Sequence, residues 1–119
     1  MRNSERAVAQ IRPLPEEDQP LSEKFRIVAK QWVGLDGAAR MLEEAKTATL
    51  SQMMKKLGDV PAAHAERDVK SSEEWRDYIK QMVDARTEAN LKKVQLKFLE
   101  MKFSEWQSAE ANARSERRM

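Results

Sequence analysis

A chain of 119 residues with 35% charged and only 6% aromatic side chains can fill one domain, and its composition suits extended helices with narrow apolar seams, not a thick core. Its 22 basic and 20 acidic residues nearly cancel, which excludes a global nucleic-acid footprint, and the absence of cysteine excludes disulfides, thiolate metal sites and thiol nucleophiles. No apolar run reaches the roughly 18 residues of a membrane span or has the form of a signal peptide, so a soluble, membrane-free protein of the cytoplasm is expected.

Residues 1–21 carry Pro13, Pro15 and Pro20 in a polar, acidic stretch, which predicts an arm, with a short helix over Ser4 to Ile11 as a candidate. Ser22 then has the character of an N-cap. From Phe25 the apolar positions Phe25, Val28, Trp32, Leu35, Ala39 and Leu42 step by three and four, a heptad seam. The seam turns polar at Lys46 and Thr49 and a neighbouring stripe through Leu50, Met53 and Leu57 takes over, as a straight helix drifts against a seven-residue repeat. One helix over 22–57 is predicted, stopped by Gly58. Gly34 and Gly37 are read as a close helix crossing or a mild bend within it, the alternative being a break at which Asp36 caps a second helix.

The connection, 58–71, should hold a short helix that begins with Pro61 at its first position, where the missing N–H is harmless. Ser71 and Glu74 then form a candidate capping box. A second long helix follows over 72–116, with a seam through Trp75, Tyr78, Met82, Ala85, Ala89, Lys92, Leu96, Leu99, Phe103, Trp106 and Ala113 and no glycine or proline after Pro61. The expected fold is therefore all-α: a long antiparallel, coiled-coil-like helical hairpin.

This second helix carries more apolar surface than one partner helix can cover, because Leu91, Val94, Phe98 and Met101 form a further stripe beside the seam. Together with Phe103 and Trp106 they make the expected interface, and a homodimer with a four-helix core is the economical way to bury it. The alternatives are that the N-terminal arm folds back, laying Ala7, Val8, Ile11 and Leu14 over the stripe, or that a foreign protein docks there.

Chemistry is hard to find. His64 is the single histidine, with no second histidine or cysteine to complete a metal site, and it reads as a solvent-facing or packing residue. Three glycines in the whole chain leave no phosphate loop or nucleophile elbow. Paired carboxylates at Glu43 and Glu44, Glu73 and Glu74, and Glu16 to Asp18 are read as helix-surface charge and caps. No catalytic residue, metal, cofactor or small-molecule substrate is expected, and the chain is read as a non-enzyme. Lys92, Lys93, Lys97 and Lys102, with Arg114, Arg117 and Arg118, are the candidate contacts for DNA or a partner, although acidic residues are interleaved. Trp32, Trp75 and Trp106 fall on the seams and read as core anchors, not base-stacking platforms.

The run from Trp75 to Arg118 contains ARTEAN at 85–90 and a S-x-E-A-x-x-R-x-E-R pattern at 108–117. In these it resembles the C-terminal helix of a family of small helical proteins of bacteriophages and prophages of proteobacteria. Met41 to Glu44 and Leu57 to Asp59 fit the same outline, so the likeness extends over about residues 22–118. The resemblance implies a phage-type accessory protein acting in the host cytoplasm, in the context of DNA recombination or replication, through a protein partner, DNA or both. It supplies no catalytic residue. Two other function classes fit the same helices: an inhibitor of a host defence complex of nuclease or CRISPR type, and a structural or assembly scaffold.

Overall fold

The computed structural model describes residues 19–118, and all of its regular structure is helical. Among the described residues four helices occur in chain order: α1 over Leu21–Glu44, α2 over Lys46–Lys56, α3 over Ala62–Lys70 and α4 over Glu73–Arg118. The molecule extends 81 Å along its longest axis, and α4, at 46 residues, runs about 69 Å at 1.5 Å per residue.

Helices α1 and α4 pack along their lengths as an antiparallel hairpin, the largest helix pair in the molecule. Val28 on α1 is buried with Leu96 and Leu99 on α4, and Leu21, Ala29 and Trp32 pack around them. Farther along, the Tyr78 hydroxyl donates to the carbonyl of Leu42. Between these points Ala39 and Ala89 are the most deeply buried residues, each with 0% exposure. The seam is thus thin: no large side chain is completely enclosed, as a two-helix layer dictates.

The sequence predicts one helix over 22–57, whereas the structure divides it at Ala45 into two helices. Ala45 keeps helical torsions, its N–H donates to the Met41 carbonyl at 3.0 Å, and its own carbonyl accepts the Thr49 N–H at 2.9 Å. The interruption lies beside a contact from the opposite helix. In an unbroken helix the Leu42 carbonyl pairs with the Lys46 N–H, and that carbonyl is the one Tyr78 engages. The seam's change of character at Lys46 and Thr49 therefore marks the point where α2 leaves α4 and lies instead against α3.

Neither Gly34 nor Gly37 breaks α1, and neither marks a close crossing, since a Cβ at either would meet no atom within 4 Å. Nothing in the structure explains why glycine stands there. Replacing both by alanine should therefore stabilise the hairpin by up to about 1 kcal/mol each, read as a rise in Tm with an unchanged helical spectrum.

The connection is built from local hydrogen bonds. Gly58, with φ +80, ends α2 in the left-handed conformation, its N–H donating to the Lys55 carbonyl at 3.2 Å. Pro61 is the N-cap of α3, not its first helical residue. The two serines divide the next junction. Ser71 closes α3 through its hydroxyl, which donates to the carbonyls of Arg67 and Asp68, while Ser72 starts α4 by accepting the Trp75 N–H at 3.2 Å. The cap thus sits one residue later than Ser71, and Glu74 instead reaches Lys56 of α2 at 3.5 Å. Ala65, Val69 and Trp75 are buried here, and Trp75 stacks on Tyr78 with ring centres 5.6 Å apart.

Candidate functional site

On a helix that turns about 100° per residue, the α4 residues that face α1, among them Ala89, Leu96 and Leu99, occupy one side. Leu91, Val94, Phe98 and Met101 fall on the other. The four are 65%, 65%, 55% and 63% exposed, and nothing among the described residues covers them. An apolar stripe of this kind lies directly behind the hairpin seam, where α1 cannot reach it.

Phe103 and Trp106, grouped with the stripe in the sequence, belong to a different place. Their rings stack with centres 6.0 Å apart, and they line an open groove of about 690 Å³ with Leu21 and Ser22 at the start of α1. A second apolar groove of about 330 Å³ adjoins it between Phe25, Leu99 and Phe103. The six residues expected to form one interface thus fall into two groups: the far-face stripe and an aromatic shelf at the hairpin's open end. Beyond the shelf α4 continues through residues 110–118, all exposed apart from Ala113.

The cations form no single strip. Lys93 and Lys102 are nine residues apart and so point to opposite sides of α4. Lys102 flanks the far-face stripe, its ammonium 5.2 Å from the centre of the Phe98 ring. Lys97 flanks the stripe on the other edge, Lys92 is half-buried beside the seam, and Arg114, Arg117 and Arg118 occupy the projecting end. Glu100, Glu105, Glu110 and Glu116 are interleaved with them.

One polar cluster went unread in the sequence. Arg86 of α4 reaches across to α1, with Nη1 2.7 Å from Asp36 Oδ1 and with Nε and Nη2 2.9 and 2.7 Å from the two Glu43 carboxylate oxygens. Asp36, expected at most as a cap, also holds Arg40 at 2.9 Å. The forked hydrogen bonds of Arg86 hold both carboxyls below their usual range and raise the guanidinium's own pKa. Their effect is to fix hairpin register, since all three groups are satisfied within the pair of helices. Carboxylates with lowered folded-state pKa add stability above their unfolded pKa values, and that stability is lost as pH falls through the folded ones. Arg86→Met should therefore lower Tm at neutral pH, and the gap from wild type should close as pH drops below about 4; a gap that stays constant in thermal scans down to that range would count against this role.

His64 is exposed, its Nδ1 2.9 Å from Arg67 Nη2. No cluster of three potential metal ligands occurs among the described residues, and no described helix is long and apolar enough to cross a membrane. The arm, with Ala7, Val8, Ile11, Leu14 and Glu16 to Asp18, lies outside the described residues. Comparison with protein-family models, with curated proteins and with solved structures finds no match.

Proposed function

We propose that this chain is a non-catalytic, phage-type helical interaction protein that acts by docking, and that it serves as an accessory factor in DNA recombination or replication. The observation that carries the docking reading is the stripe Leu91, Val94, Phe98 and Met101, more than half exposed at every position and turned away from α1, the one long helix that packs on α4 among the described residues. Covering a Phe, Leu or Met side chain contributes roughly 1.5–3 kcal/mol each, so a protein surface that fits the stripe has a large gain available. The first occupant on this reading is a second copy of the chain, which leaves the aromatic shelf and the projecting basic end for a further partner.

The DNA-metabolism context rests on the likeness of residues 85–90 and 108–117 to the phage proteins and on Arg114, Arg117 and Arg118 at the end of α4. Light scattering and a mobility-shift series test the two halves separately. The expected mass is that of a dimer; a series of larger assemblies would favour a scaffold instead. Binding to DNA should strengthen as salt is lowered from about 200 to about 50 mM, because phosphate contacts release counterions. No shift even at the low end would remove direct DNA contact and leave protein docking alone.

A further inference from the structure

We infer that the second copy lies on the far face of α4 in antiparallel orientation, with the two-fold axis between Val94 and Phe98. This rests on the self-association proposed above and adds its geometry. The stripe steps through Thr87, Leu91, Val94, Phe98, Met101 and Glu105 in alternating intervals of three and four, the spacing of a two-stranded coiled-coil seam. Since α1 occupies the opposite side of α4, it does not obstruct a helix arriving on this face.

Charge decides the direction. A parallel, in-register pair sets each seam residue on its own copy, so Glu105 faces Glu105. The flanks that meet in a parallel coil carry Lys97 on one helix and Lys102 on the other, a like-charge contact made twice by symmetry. Reversing one helix removes these conflicts. Glu105 then meets Thr87, and Lys102 meets Glu88 on both sides of the axis. Glu88 is exposed and makes no ion pair among the described residues, and Lys102 already lies along the stripe over Phe98. Size fits as well, since the smaller Val94 packs on Phe98 in place of Phe98 on Phe98. One like-charge contact arises in their place, Lys97 against its own copy near the axis, against three in the parallel pair, Glu105 on Glu105 and Lys97 on Lys102 twice.

The chain has no cysteine, so single-cysteine variants report the orientation directly. In the antiparallel dimer Gln95→Cys lies beside its own copy at the axis and should form a disulfide under mild oxidation. Leu91→Cys should not, because its two copies are ten residues, about 15 Å, apart along the axis, beyond the reach of a disulfide. A parallel dimer gives the reverse pattern. Charge reversal supplies an independent reading: Lys102→Glu should raise the dimer Kd about tenfold, and Glu88→Lys added to it should restore the wild-type value. In a parallel dimer Lys102→Glu would tighten association by setting the introduced carboxylate against Lys97. A dimer in which Leu91→Cys crosslinks and Gln95→Cys does not overturns the antiparallel assignment but leaves self-association standing. A wild-type chain that is monomeric by light scattering at high concentration overturns both.

Discussion

Phe98→Asp is expected to turn the proposed dimer into a monomer without unfolding the hairpin. Phe98 sits in the middle of the far-face stripe and is 55% exposed in the single chain, so its ring contributes little to holding α4 on α1. In a two-fold interface each residue counts twice. Losing roughly 1.5–3 kcal/mol of burial per ring then weakens association by about 3–6 kcal/mol, or roughly 10² to 10⁴ in Kd. The carboxylate adds a desolvation cost in the same direction. Light scattering should give the monomer mass at concentrations where the wild type is dimeric, with the far-UV spectrum unchanged. Phe103→Asp makes the contrast, because Phe103 shares its groove with Leu21 and Ser22 at the start of α1. That change should act first on the stability of the hairpin. If Phe98→Asp keeps the dimer mass, the stripe is not the contact surface.

The separation of these two phenylalanines was only half legible in the sequence. Spacing by three and four shows that α4 has a seam and a surplus stripe, because helical periodicity is local and follows from residue types alone. It does not show where α1 begins relative to α4. Phe103 and Trp106 lie on the continuation of the seam, but α1 starts alongside them at Leu21, so they become a shelf at an open end. Register is a long-range property, and the contacts that set it are polar and far apart in the chain. Tyr78 with Leu42, and Arg86 with Asp36 and Glu43, join residues 36 to 50 positions apart, and no periodicity announces such pairs. The same blindness produced the unbroken helix over 22–57, since the interruption at Ala45 lies beside a contact made by Tyr78 of another helix. The sequence puts the cap at Ser71, and only the backbone geometry assigns Ser71 to the end of α3 and Ser72 to the start of α4.

Leu99→Ala should damage the hairpin strongly. The apolar core is small: among the described residues Val28, Leu96 and Leu99 form one cluster, and the other buried side chains are Ala39, Ala65, Val69, Trp75 and Ala89. A buried leucine shortened to alanine costs about 2–5 kcal/mol. The lower half of that range is expected here, because Leu99 borders open grooves into which neighbours can relax. Against a total stability of about 5–15 kcal/mol, the loss corresponds to a fall in Tm of roughly 10–20 °C. Association would mask part of this, since a dimer that binds only the folded chain stabilises it by mass action. The measurement therefore belongs in the Phe98→Asp background, where folding is read alone. Leu91→Ala in that background removes the same atoms from a side chain that is 65% exposed and should change stability by less than about 0.5 kcal/mol. Equal losses from Leu99→Ala and Leu91→Ala would mean that the far face of α4 is already covered within the single chain, and the stripe would lose its role as a docking surface.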